Sequence, residues 1–424
     1  MIIFISLLFL ELLLNCYRIQ TKSRHSHITF YLRLFSLLMI FILIMSHVIT
    51  WGFRYYVLVI FLVILLLIEL ITMIKKHTNI YRIKTYKYVL KTVGMWLLIF
   101  ICSIPFLMFP EHGMIQTTGH FEVGTKVAYL TDLNRVEMYE DDGSFRSLTI
   151  EFWYPKNSMN ELFPLIVFSH GSFGTRTSNE TLYRELASHG YVVCSIDHTY
   201  QCFYTTTKDG HLILMDISYF NEINKENAKE HKEESLMFYQ SWMNVRTADI
   251  NVVIDEIKDD PDFFLEGLID ITKIGVIGHS LGGSAALGVG RIRDDINAVV
   301  ALESPFMCDI LDVIDNEFIF NDESYPTPVL NIYSDSSWEH LNEWPQYKQN
   351  YNYLINPTTH NFNIHIEGAY HLSLTDLSLV SPFLTSVLNG NQSSLSVNAC
   401  LTRINHEVLS FLNCYLKDIG TYTP

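Results

Sequence analysis

The chain has 424 residues, 49% of them apolar and 13% aromatic, enough for a large core and too greasy for a disordered chain. Its formal charge of −16 is unevenly divided: residues 1–110 carry 11 Lys/Arg against Glu11 and Glu69, and the remainder carries 18 basic and 43 acidic residues. So acidic a main body excludes a nucleic-acid partner, which needs a basic surface for the phosphate backbone.

The amino-terminal 110 residues hold long apolar runs. Residues 34–51 and 93–110 are uncharged, and residues 55–74 contain only Glu69. Each approaches the roughly 20 residues a helix needs to cross a bilayer. Residues 2–16 form a shorter run interrupted by Glu11, with neither a basic flank nor a small-residue cleavage site, so they do not read as a signal peptide. The expectation is an all-α transmembrane region over 1–110 with three or four helices and the bilayer as its partner. Arg18, Lys22 and Arg24 follow the first run, and Lys75, Lys76, Arg82, Lys84 and Lys87 follow the third. The turn between the second and third offers only Arg54. Positive loops stay in the cytoplasm. Residues 111–424 are therefore expected outside it, whether the spans number three or four.

The soluble part alternates strand and helix patterns. Apolar runs that end in Gly or polar residues predict strands at 148–155, 164–171, 191–197, 273–280, 296–302, 328–334 and 362–368. The spacing leaves room for crossover helices, so the fold class is α/β, with a mostly parallel sheet covered on both faces. Residues 201–242, aromatic first and then polar, read as a cap or insertion over the sheet's top edge, and 224–234 as a solvated helix face. Cys194 reads as buried, and Cys400 and Cys414 are possible disulfide partners.

The stretch "VIGHSLGGSAALG" at 276–288 contains G-x-S-x-G between a strand and a small-residue helix start. That setting suits a serine nucleophile, Ser280, raised above the sheet on a sharp turn. The helix behind it aims backbone N–H groups at a developing oxyanion. A serine hydroxyl needs a histidine to take its proton. His371 lies beyond the last strand, whereas His365 falls inside that strand and His360 before it. Glu303 and Asp335 both end strands and are both candidates for the acid; position alone favours Asp335. The oxyanion hole is expected from the backbone N–H of Leu281 and of Ser172, the latter in "SHGSFG". His170 and His198 read as loop braces and His279 as a freely varying position. Trp338, Trp344 and Phe173 are candidates for an acyl-pocket wall or for core packing. No H-E-x-x-H and no clustered Cys/His spacing occurs, so neither metal nor cofactor is implied.

The segment "PLIVFSHGSFGTRTSNETLYRELASHGYVVCSIDH" at 164–198 resembles plasma-type platelet-activating factor acetylhydrolases, as do "TTGHFEVGT", "FWYP", "GHSLGGSAAL", "VVALES" and "EGAYH". The resemblance covers roughly 117–377 and leaves the amino-terminal runs outside. It implies an α/β-hydrolase fold and metal-free hydrolysis of phospholipid esters with short or oxidised acyl chains. By position it carries the nucleophile to Ser280, the base to His371 and the oxyanion donors to Ser172 and Leu281. The acid falls on Glu303, where the family usually has aspartate, so Asp335 stays open as the alternative. The reading is a membrane-anchored serine ester hydrolase acting on a lipid or small ester. The alternatives are a carboxylesterase of dienelactone-hydrolase type and a non-catalytic membrane scaffold on a hydrolase fold.

Overall fold

The computed structural model describes residues 2–21, 25–75, 85–156, 158, 161–260, 265 and 267–424. Lys22, Arg24, Lys76, Arg82 and Lys84, used above to orient the spans, lie outside the described residues. The chain divides into two compact units: Met1–His112 with Val380–Leu384, and Gly113–Leu379 with Thr385–Pro424.

The first unit contains helices α1 (Ile2–Thr21), α2 (Ser26–Met45), α3 (Tyr56–Ile74) and α4 (Thr85–Met108). All four are long and apolar enough to cross a membrane. Phe4, Leu7, Ile40, Leu58, Leu62, Met95 and Ile99 pack in its interior. The second run was expected at 34–51, yet α2 starts eight residues earlier. The reason is pairing: Arg33, which ends the uncharged run, turns inward. Its guanidinium meets Glu11 at 3.2 Å and Glu69 at 3.3 Å. Arg18 donates to Thr29 Oγ1 at 2.7 Å and stands 3.7 Å from Glu69. All four charges are buried. A charge that is costly facing lipid becomes tolerable inside a bundle once it is paired.

The second unit is built on an eight-stranded sheet of order β1-β2-β4-β3-β7-β8-β11-β12. Its strands are β1 (Val123–Val136), β2 (Phe145–Pro155), β3 (Phe163–Ser169), β4 (Val192–Asp197), β7 (Ile269–His279), β8 (Ile296–Leu302), β11 (Val329–Ser334) and β12 (Asn361–Ile366). β1–β2 and β2–β4 pair antiparallel, and every later pair is parallel. This is the architecture expected of an α/β-hydrolase. β1 was not anticipated, because as an edge strand it alternates exposed polar residues with few buried apolar ones.

Period-two alternation sends side chains to both faces of the sheet. In β3, Leu165 and Val167 pack with helices α7 (Lys232–Asp259) and α8 (Leu281–Ile292). Ile166 and Phe168 pack with α5 (Glu180–Ser188) and the carboxy-terminal helix Val397–Lys417. Within 201–242 the chain forms a small hairpin, β5 (Tyr204–Thr206) with β6 (Leu212–Leu214), followed by α6 (Ile217–Lys225). Lys232–Trp242 then belong to the long helix α7, and a turn at 226–231 breaks the run read as one solvated helix face. A second small hairpin, β9 (Ile310–Ile314) with β10 (Glu317–Phe320), follows β8. Cys400 and Cys414 are separate thiols.

Candidate active site

Parallel strands deliver the predicted residues to one edge of the sheet. Ser280 follows β7 directly and takes φ 54°, ψ −124°, a conformation that costs about 1–3 kcal/mol. The turn is held by Ser280 N–H donating to Leu302 O at 2.8 Å, and by Gly283 and Ser284 N–H donating back to Ser280 O. Gly282 answers a close approach: a Cβ there would stand 2.1 Å from Ser169 O and 2.4 Å from His170 O. Any side chain at Gly282 would drive apart the two segments that carry Ser280 and Ser172. Leu281 opens α8, where the N–H groups have no intrahelical acceptor and the helix dipole is positive.

Ser172 lies in the loop after β3. Gly171 O, on the same peptide unit as Ser172 N–H, accepts from His170 Nδ1 at 2.6 Å and from Gly174 N–H at 3.1 Å. The C=O and N–H of a trans peptide point in opposite directions. Anchoring that carbonyl therefore turns the Ser172 N–H the other way. Arg246, fully buried, donates to His170 O, Gln201 O and Tyr219 Oη. His198 bridges Asp249 Oδ2 (2.9 Å) and Ser169 Oγ (2.8 Å), and burial pushes its pKa down to about 4. The two histidines thus brace the loop, as read from the sequence.

Glu303 follows β8 and also has a positive φ, 54°. It is 1% exposed. Its Oε2 accepts from Ser334 N–H at 2.7 Å, and its Oε1 has no hydrogen-bond partner among the described residues. His371 follows β12, and its N–H donates to Ser336 Oγ at 3.0 Å. Burial pulls the His371 pKa below the ordinary imidazole value, and the Glu303 carboxylate raises it in partial opposition. Asp335 is engaged elsewhere. Its Oδ1 bonds His365 Nε2 at 2.8 Å, and its Oδ2 accepts Gly368 N–H at 3.0 Å.

Ser172, Ser280, Leu281, Glu303 and His371 line one cavity of about 290 Å³; Asp335 does not. Its apolar wall includes Ile223, Tyr239, Trp242, Met307 and Trp344. Trp344 thus falls where an acyl-pocket residue was expected. Trp338 instead stacks on His365 at 4.7 Å, and Phe173 is largely exposed beside Phe220. Tyr239 and Trp242 were missed, since helical spacing alone reads them as core. His170, Asp197 and Cys202 each bring one ligand-type atom within 4.8 Å of the others. Asp197 is already bonded by Arg176 and Thr205, and burial pushes the Cys202 thiol up, so these groups suit hydrogen bonding better than a cation.

Residues 147–420 match the family described as platelet-activating factor acetylhydrolase, isoform II. The chain belongs to that family. The match leaves the four apolar helices outside it. Among curated relatives, the platelet-activating factor acetylhydrolase of Canis lupus familiaris is 25% identical over 281 residues, 62% of this chain and 60% of the dog protein. That of Gallus gallus is 23% identical over 279 residues, 61% of this chain and 63% of the bird protein. The chain therefore spans about three fifths of these relatives. Cutinase est2 of Thermobifida alba is 26% identical over 194 residues, 46% of this chain and 48% of the cutinase. A solved ferulic acid esterase from Streptomyces cinnamoneus superposes with a TM-score of 0.57 at 19% identity, covering 73% of this chain and 94% of the esterase. That likeness, with the sheet order above, establishes the α/β-hydrolase fold.

Proposed function

We propose that this chain is a membrane-anchored serine carboxylic ester hydrolase. One observation carries the reading: a serine on a strained strand-to-helix turn lines one cavity together with a histidine, a carboxylate and two backbone segments suited to an oxyanion hole. Ser280 Oγ attacks the acyl carbonyl while His371 takes its proton. The N–H groups of Ser172 and Leu281 receive the oxyanion. His371 then returns the proton to the departing alcohol, leaving an acyl-enzyme. Water, activated by the same histidine, attacks that ester and releases the acid. Glu303, which lines the same cavity and whose carboxylate raises the His371 pKa, is assigned the part of fixing the imidazole tautomer and stabilising its cation.

The proposed substrates are amphipathic esters, foremost phospholipids with a short acyl chain. A cavity of about 290 Å³ holds the volume of roughly ten waters, enough to seat a short acyl group. Phe203, Leu212, Leu214, Ile217 and Phe220 are exposed on the inserted hairpin and α6, an apolar surface of the kind that meets lipid. The relatives named for platelet-activating factor support the same class. The four helices of the first unit, at about 1.5 Å per residue, match a hydrocarbon core of about 30 Å. The domain reading is a transmembrane region over 1–110 and a catalytic domain over 111–424 facing away from the cytoplasm.

A substrate panel tests this. It runs from p-nitrophenyl esters to short-acyl and long-acyl phospholipids, with Ser280→Ala as the blank. Turnover of short-acyl phospholipid that vanishes in the blank supports the reading. Turnover confined to small soluble esters replaces it with the dienelactone-hydrolase type, and no serine-dependent turnover leaves the scaffold.

A further inference from the structure

His279 is the last residue of β7 and the neighbour of the nucleophile, and its ring lies between the base and the oxyanion loop. Its Nε2 stands 3.1 Å from His371 O. A carbonyl oxygen only accepts, so Nε2 carries the proton and donates it. The two imidazole rings lie 4.6 Å apart at 40°. The Nδ1 edge faces the oxyanion loop, where a Cβ built on Gly171 would come within 2.9 Å of Nδ1. Glycine at 171 and histidine at 279 therefore fit each other. The ring is buried, 3% exposed, and burial and the neighbouring His371 both hold its pKa well below the usual imidazole range. It is a neutral donor beside a histidine that must become positive.

The main chain of His371 is gripped from two sides: its N–H donates to Ser336 Oγ, and its C=O accepts from His279. Ser336 lies in the single helical turn Asp335–Trp338 that follows β11. His279 sits on a central strand paired on both sides, in register with Leu302 of β8. Its hydrogen bond thus refers the base to the same rigid strand that carries the nucleophile. We infer that His279 is a positioning residue that sets the distance between the His371 loop, Ser280 and the oxyanion loop. Misplacing a reacting group by about 1 Å costs about a hundredfold in rate. A lysine or arginine there would also donate, but would repel the imidazolium.

The inference rests on the hydrolase reading, and the full chain in detergent tests it with p-nitrophenyl acetate. His279→Leu removes the donor at similar volume and should lower kcat about 10- to 100-fold, with KM changed less than about threefold. Glutamine places an amide N–H near the position of Nε2, so His279→Gln should recover kcat to within about fivefold of the intact chain. Asparagine is one methylene too short, so His279→Asn should stay close to the leucine level. If His279→Leu does not fold, the Gln and Asn pair carries the comparison. A His279→Leu enzyme within threefold of normal kcat overturns the inference, as does glutamine performing no better than leucine or asparagine. Ser280→Ala is the control that separates the two readings. If its activity is undiminished, the hydrolase reading falls and the role of His279 falls with it. If it is inactive while His279→Leu is normal, only the role of His279 falls.

Discussion

Glu303→Gln isolates the carboxylate proposed to stand behind His371. Glutamine keeps the volume, and its amide oxygen can still accept the Ser334 N–H that Glu303 Oε2 accepts at 2.7 Å, so the fold should be retained. What disappears is a charge, in a side chain only 1% exposed and so little screened. Two unit charges about 4–6 Å apart at an effective dielectric constant of about 20 attract by about 3–4 kcal/mol. That is a loss of about 10²- to 10³-fold in kcat if the imidazolium forms in the transition state. Asp335→Asn removes a carboxylate that is bonded to His365 and Gly368 and absent from the cavity lining. It should lower kcat only a few-fold, with a stability loss of about 1–3 kcal/mol. A pH profile of kcat/KM gives a second readout. Catalysis needs neutral His371, so the rate falls as pH drops through its pKa, which lies below the ordinary 6.5. Glu303 raises that pKa, so its removal should move the acid limb to still lower pH even as the plateau falls. Greater loss in Asp335→Asn than in Glu303→Gln, or an acid limb that stays in place in Glu303→Gln, would refute the assignment of Glu303.

Ser280→Ala and His371→Ala should each lower turnover by several powers of ten in a folded chain, because the pair acts as a unit; substantial remaining turnover in folded protein would reject the pair. Gly282→Ala should abolish activity and lower the thermal midpoint, since its Cβ would lie 2.1 Å from Ser169 O; a normal midpoint and rate would contradict the close approach. Arg33→Leu strands Glu11 in the bundle, whereas Glu69 keeps Arg18 at 3.7 Å. The yield of folded, membrane-inserted protein should therefore drop several-fold in the single variant and recover in Arg33→Leu/Glu11→Leu, because removing a whole buried pair is far less disruptive than breaking it. A double variant no better than the single one would sink that account. Asp209→Cys, on an exposed turn, should react with an impermeant maleimide added to intact cells, using the unmodified chain as blank; labelling only after lysis would place the domain on the cytoplasmic side.

The parts of this protein legible in its sequence are those set by near neighbours along the chain. A strand, a G-x-S-x-G turn and a small-residue helix start are contiguous, so the elbow at Ser280 could be read directly. The α/β alternation, the loop after β3 and the four apolar runs were equally local. The choice between Glu303 and Asp335 was not, because both end parallel strands and both could serve. Tertiary structure gives them different surroundings: Asp335 is held by His365 of β12, a strand that begins 26 residues later, and by Gly368 just beyond it. Glu303 takes a positive φ and lines the cavity. His279 looked dispensable because a motif position is silent about a carbonyl 92 residues away. Arg33 looked like the edge of a span for the same reason, as its partners Glu11 and Glu69 lie on two other helices. Periodicity and turn chemistry arise from adjacent residues. Whether a buried charge or a neutral imidazole is tolerated depends on what a distant segment brings within about 3 Å of it, and only the folded chain makes that meeting.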